Sequence, residues 1–168
     1  MKLYLVRHAE AIERSGTMPD ANRYLTAKGR SAFRKIARRV RKLGSVPFLI
    51  FSSPLVRAVQ TAEILAERLK HDNPVVVAKE LSPGFDLRAL RSLLAKAKNP
   101  TEAAFVGHEP DLGALAATLL ARPGGFPLRK GAVVALEVDG GAPKGAATFL
   151  WRMDGKGTVT HLPEASGD

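Results

Sequence analysis

Residues 3–11 read LYLVRHAEA, and this stretch decides how the rest of the chain is interpreted. The apolar run from Leu3 to Val6 predicts a buried strand. The run ends directly in Arg7 and His8, two polar side chains that a protein core does not accept without partners. Ligands of open α/β sheets bind beyond the carboxyl ends of the strands, so we interpret Arg7 and His8 as candidate site residues.

Apolar runs alternate with helical patterns along the rest of the chain. Further strands are predicted at 48–52, 75–78, 103–107, 132–138 and 147–153, and helices at 26–43, 54–70, 87–98 and 110–121. This alternation predicts an α/β fold, a three-layer sandwich in which helices cover both faces of a mixed, mostly parallel six-stranded sheet. No helix separates the last two strands, so we expect them to form a C-terminal antiparallel hairpin.

The length and composition of the chain set the class of protein. With 168 residues, 45% of them hydrophobic, the chain fits a single domain over 1–168, whose tail after about 154 is weakly patterned. The absence of cysteine excludes disulfides, thiolate metal sites and a cysteine nucleophile. There is neither a signal-peptide pattern nor an apolar stretch of about 18 residues. We therefore expect a cytoplasmic monomer without membrane contact.

The net charge of +10 is concentrated in one segment of the chain. Residues 21–62 contain ten Lys or Arg and no Asp or Glu, so the remainder carries sixteen residues of each sign. Such a segment can steer phosphorylated or acidic substrates to a site, or it can simply be a solvated helix face. It also suits a nucleic-acid-binding module without catalysis. Aromatic residues make up only 6% of the chain, which argues against a stacking platform for single strands.

Other polar residues follow the later strands of the predicted sheet. Ser52 and Ser53 end the second strand and precede Arg57 by about one helical turn, whereas Glu80 follows the third strand and His108 the fourth. Together with the first strand, these ends bring two arginines and two histidines to one edge of the sheet. Arginine binds phosphate oxygens in pairs, and neutral imidazole can accept a phosphoryl group on a ring nitrogen. The sequence therefore predicts an anion site that contains a possible nucleophile.

Three separated blocks carry a resemblance to a known family. The blocks LVRHAEA, LIFSSPLVRAVQTAEIL and AFVGHEPDLG resemble, in order, the motifs of the histidine phosphatase superfamily. YLTAKGR and KELSPGFD are most similar to its SixA-type phosphohistidine phosphatases. The resemblance implies that His8 is the nucleophile and that Arg7, Arg57 and His108 form the phosphate pocket. It implies a hydrolase, and we expect no metal and no other cofactor.

The chain departs from the family pattern at two places. Ala9 replaces the usual glycine, which requires a negative φ at this position. The segment KELSPGFD leaves little room for the general acid of many relatives; Glu80 is the nearest candidate, followed by Glu10 and Asp111. An alcohol leaving group needs such an acid, whereas a protonated imidazole does not. We therefore favour phosphohistidine on a protein as the substrate, with small phosphomonoesters or polyphosphate-like anions as the alternative and no nucleic-acid partner.

Overall fold

The computed structural model describes residues 1–139 and 147–162. One sheet contains the strands β1 (Lys2–Arg7), β2 (Leu49–Ser52), β3 (Val76–Val77), β4 (Glu102–Gly107), β5 (Val133–Glu137), β6 (Thr148–Asp154) and β7 (Gly157–Val159). The helices in this part of the chain are α1 (Ala27–Lys42), α2 (Val56–Leu69), α3 (Leu87–Lys96) and α4 (Asp111–Leu119). Short 3-10 helices span Asp20–Asn22 and Lys79–Leu81.

The strand order in the sheet is β3-β2-β4-β1-β5-β6-β7. The pairs β3–β2, β2–β4 and β4–β1 are parallel, whereas β1–β5, β5–β6 and β6–β7 are antiparallel. This confirms the α/β fold and the C-terminal hairpin, although the residues that join its strands, 140–146, lie outside the described residues. The sheet has seven strands instead of the predicted six, because the weakly patterned tail contributes the short β7.

Helices pack on both faces of the sheet because the side chains of its strands alternate in direction. Tyr4 and Val6 of β1 belong to one buried cluster with the apolar residues of α1 and α2. Leu3 and Leu5 belong to the other cluster, with α3 and α4. The predicted cap of α1 is present, since Thr26 accepts a hydrogen bond from the Gly29 N–H at 2.9 Å. No helix of the described residues is long and apolar enough to cross a membrane.

The register of three neighbouring strands aligns their carboxyl ends. Arg7 of β1 lies opposite Gly107 of β4, and Ser52 of β2 lies opposite Val106 of the same strand. The residues that follow these strands therefore emerge side by side at one edge of the sheet.

Candidate active site

His8 lies immediately beyond the end of β1, so its side chain does not follow the alternation of the strand. Its N–H donates to the Gly107 carbonyl at 3.0 Å, and its carbonyl accepts from the Gly131 N–H at 3.1 Å. These contacts fix the backbone where Arg7 and His8 both face the site. Ala9 adopts a negative φ, as its replacement of glycine requires, and its N–H donates to Thr61 Oγ1 at 3.1 Å.

The contacts of the His8 ring define its tautomer. Nδ1 lies 2.7 Å from the Ala9 carbonyl oxygen, which can only accept, so Nδ1 carries the proton. Nε2 accepts from Arg57 Nε at 3.3 Å and therefore holds the free electron pair. Burial lowers the pKa of His8 to about 3, against the opposing effect of the Ala9 carbonyl. The ring is thus neutral near pH 7, with Nε2 as its nucleophilic atom.

Arg57, in the first turn of α2, is buried, and each of its three side-chain nitrogens donates a hydrogen bond. Besides the contact with His8, Nη1 donates to the Asp20 carbonyl at 2.8 Å and Nη2 to the Asp20 carboxylate at 3.0 Å. Asp20 also binds Arg23 and Arg14, at 2.9 and 3.1 Å. Desolvation raises the pKa of Asp20, but the hydrogen bonds and charges of Arg57 and Arg23 together outweigh it and lower the pKa. The ionised carboxylate of Asp20 is therefore bound to the Arg57 guanidinium, the group that the resemblance assigns to the phosphate.

His108 follows β4 and lies beside His8, with 5.3 Å between the ring centroids. Its Nε2 is 2.7 Å from Ser53 Oγ, and Ser53 follows the neighbouring strand β2. Burial lowers the pKa of His108 to about 4, and the charge of Arg57 acts in the same direction. Within the described residues, Nδ1 of His108 is buried without a hydrogen-bond partner.

Arg7 is held against the loop that precedes β5. Its Nη1 donates to the Leu128 carbonyl at 2.7 Å, whereas its buried Nε has no partner in the part of the chain that the structure describes. Glu109 links this loop to α4, because its carboxylate accepts hydrogen bonds from the Gly113 N–H at 2.8 Å and from the backbone of Leu128. Burial raises the pKa of Glu109. The unpartnered Nε is a donor that an anion beside His8 can satisfy.

The structure gives each candidate acid a different partner. Glu80 accepts from Lys96 Nζ at 2.6 Å, and this hydrogen bond lowers its pKa, which opposes a role as a proton donor. Glu10 accepts from the Thr26 hydroxyl at 3.0 Å. Asp111 accepts from the Gly84 N–H at 2.7 Å. Arg7, His8, Arg57 and His108 are thus brought together, whereas no contact joins Glu80 to any of them.

Sequence reasoning missed two contributors to this site. Asp20 lies in an unpatterned segment, and no signal in the sequence reveals that its carboxylate binds Arg57. Glu109 is adjacent to His108, but its contact with the Leu128 loop depends on the fold. Across residues 1–139 and 147–162, no three His, Cys, Asp or Glu side chains come together as metal ligands.

The comparisons with known proteins identify the family and the fold of the chain. The model of the histidine phosphatase superfamily (branch 1) matches residues 3–82. An uncharacterized protein of Picosynechococcus sp. is 39% identical over 115 residues, which cover 67% of this chain and 69% of that protein. The chain therefore belongs to the histidine phosphatase superfamily, and it is a hydrolase of the phosphatase class, as the sequence predicted.

Solved structures similar to this chain allow a more detailed comparison. The protein histidine phosphatase SixA in complex with tungstate is 26% identical, with a TM-score of 0.79 over 93% of this chain and 98% of that one. This supports the SixA-type branch. A mycobacterial glucosyl-3-phosphoglycerate phosphatase in complex with VO3 is 20% identical, with a TM-score of 0.68 over 88% of this chain and 96% of that one. At this identity the second likeness concerns the fold alone.

Proposed function

We propose that this protein removes phosphate from phosphohistidine on another protein and that Nε2 of His8 carries the phosphoryl group between the two half-reactions. The observation that carries the proposal is the state of the His8 ring, neutral and protonated on Nδ1, with its Nε2 electron pair directed at Arg57. A nucleophile in this state needs no base to activate it near pH 7. The superfamily membership of the chain supports the same chemistry.

The neighbouring cations suit the charge that develops on the phosphoryl oxygens. Phosphoryl transfer depends mainly on positioning and electrostatic stabilisation. We assign Arg57, Arg7 and His108 to the phosphate, with the unpartnered Nε of Arg7 as one donor. The phosphate takes the place of the Asp20 carboxylate on Arg57, since both are oxyanions that fit a guanidinium fork. His8 is 8% exposed and Arg57 is 4% exposed, so the phosphate reaches Nε2 only if groups that cover the site move aside.

The reaction then has two steps. The Nε2 electron pair of His8 attacks phosphorus, an N–P bond forms on His8, and the N–P bond of the substrate breaks. The leaving imidazole is protonated by solvent on its other ring nitrogen before the bond breaks, keeps the electron pair of that bond and departs as a neutral ring. Water then attacks the phosphoryl group on His8, which releases orthophosphate and the free ring.

Two carboxylates near the site, those of Asp20 and Glu80, favour phosphohistidine over an ester. Glu109 has a raised pKa, but its carboxylate is engaged by the Gly113 N–H and by the backbone of Leu128. Protonation of an alcohol leaving group by a positioned acid contributes typically about 10²–10⁴-fold to the rate. Asp20 is bound to three arginines and Glu80 to a lysine, and both have a lowered pKa. Carboxylates in this state are poor proton donors. An imidazole leaving group tolerates their absence because it departs readily once its ring is protonated.

Rapid-quench kinetics with a radiolabelled phosphohistidine peptide tests the proposal. The protein should acquire label that survives alkali and is lost in acid, as a phosphoramidate is. His8→Ala should abolish both the labelled intermediate and turnover. His71→Ala is the matched control, because His71 contacts Phe48 and Asn73 and is not part of the site. Labelling of His8→Ala at the normal rate would refute the assignment.

The same preparation should also be offered sugar phosphates and inorganic polyphosphate. We expect the phosphohistidine peptide to have the highest kcat/KM. A higher kcat/KM for a sugar phosphate would retain the phosphatase and its intermediate but replace the substrate with a small phosphomonoester.

A further inference from the structure

The outward face of α1 carries a row of cations. Lys28, Lys35, Arg38 and Lys42 are all exposed, and we call them the α1 stripe. Their spacing of seven, three and four residues places them on one side of an α-helix, where each residue turns by about 100°. The row spans 14 residues and is therefore about 21 Å long at about 1.5 Å per residue. The apolar side of the helix, with Phe33 at its centre, faces the core.

The charge of the α1 stripe is not neutralised by the fold. None of its four side chains forms an ion pair with any described residue, although several other cations of the protein do. The flank of α1 that faces α2 differs. There, Arg30 and Arg34 border a groove together with Glu63 and Glu67. Carboxylates thus lie close to the cations of this flank, whereas the ion pairs of the described residues include none of the α1 stripe.

The α1 stripe begins beside the nucleophile. Lys28 and Lys130 line a small cleft whose wall includes Ala9, the residue after His8. Gly131, next to Lys130, donates its N–H to the His8 carbonyl. The cleft, which Glu10 also lines, thus lies next to the backbone of His8, and we place the path of the bound substrate over Lys28 and along the helix.

We infer that the α1 stripe is the docking surface for an acidic face of the phosphorylated protein substrate. The inference rests on the proposed function and adds the chemistry of the partner. Four exposed cations form a surface that accelerates and orients the encounter of opposite charges. The leaving-group argument selects a protein over a nucleic acid, because terminal nucleic-acid phosphates are esters and phosphohistidine is not.

Two synthetic peptides provide the probe. Each contains one phosphohistidine followed by a helical tract, which carries four glutamates at the spacing of the α1 stripe in the first peptide and four glutamines in the second. We expect the wild-type protein to prefer the acidic peptide by about tenfold in kcat/KM at low ionic strength. This preference should shrink as salt is added, because exposed charges are screened.

Two variants with the same change in net charge distinguish the effect of the α1 stripe from the effect of the protein's overall positive charge. Lys35→Glu/Arg38→Glu reverses the centre of the stripe. Arg88→Glu/Lys98→Glu reverses one arginine and one lysine at α3, on the opposite face of the sheet. The first variant should abolish the preference for the acidic peptide and leave turnover of the glutamine peptide within about twofold. The second should retain the preference.

Equal loss of preference in both variants, or no preference in the wild type, would overturn the inference. Binding of the unphosphorylated peptides, measured by fluorescence anisotropy, separates this failure from failure of the proposed function. If neither peptide is hydrolysed but the acidic one still binds through the α1 stripe, the result supports the docking surface and refutes the proposed phosphatase activity. A different outcome is that an oligonucleotide of matched charge binds more tightly than the acidic peptide and loses that binding in Lys35→Glu/Arg38→Glu. This result would assign the α1 stripe to nucleic acids and refute the inference of a protein partner.

Discussion

Lowering the pH from 7 to 5 tests the electrostatic state of the two site histidines. His8 and His108 have pKa values of about 3 and about 4 in the folded protein, against about 6.5 for an unperturbed imidazole. Between those values the unfolded chain binds protons that the folded protein does not. The stabilisation linked to the neutral rings is therefore present above pH 6.5 and is lost as the pH falls toward the folded pKa values.

The expected magnitude follows from these pKa values. For each ring, linkage gives a loss of about 2 kcal/mol between pH 7 and pH 5, so the pair loses about 4 kcal/mol. This is a large part of the about 5–15 kcal/mol that stabilises a typical domain. Glu109 acts in the opposite sense, because its raised pKa makes the folded protein bind a proton more readily as the pH falls.

Urea unfolding followed by Trp151 fluorescence at pH 7, 6 and 5 measures the effect. His8→Asn and His108→Asn should each lose only about 2 kcal/mol over this interval, since one titrating ring remains. His71→Asn, away from the site, should follow the wild type. A free energy of unfolding that is the same at pH 5 and pH 7 would mean that the rings are protonated in the folded protein, and the neutral nucleophile would have to be abandoned.

Three further substitutions examine individual contacts. Asp20→Asn removes the anion that competes for Arg57, so the inhibition constant of orthovanadate should fall severalfold; a rise would mean that Asp20 orients Arg57 for the phosphate. Glu80→Gln should leave kcat/KM for a phosphohistidine peptide within about twofold, and a loss of a hundredfold would restore Glu80 as the acid. Thr61→Val leaves the buried Ala9 N–H without a hydrogen-bond partner, and a denaturant titration should show a free energy of unfolding lower by about 1–3 kcal/mol. An unchanged midpoint would show that this hydrogen bond adds no net stability.

The positions of the four basic side chains were predictable because the sheet itself determines them. Arg7, His8 and His108 directly follow or end buried strands, and Arg57 is the second residue of the helix after β2. Parallel neighbours then bring these ends to one edge. An apolar run followed by a polar residue is visible in a sequence without any knowledge of distant contacts.

Asp20 was not predictable, since it reaches Arg57 only because the chain folds back on itself. The bridge between Ala11 and Leu25 closes the segment that carries Asp20, and no pattern within that segment indicates the closure. Strand β7 was missed for another reason. Its three residues are too few to show an alternation, and they pair only because β6 offers them an edge.

The partner of Nδ1 in the His8 ring is the peptide oxygen of the next residue. Such an oxygen exists whatever amino acid occupies position 9, so a change of that side chain leaves the hydrogen bond that orients the His8 ring in place. Ala9 is 2% exposed, so a larger side chain would have to fit within the packed interior. Space alone, and not hydrogen bonding, therefore limits the choice at this position to small residues.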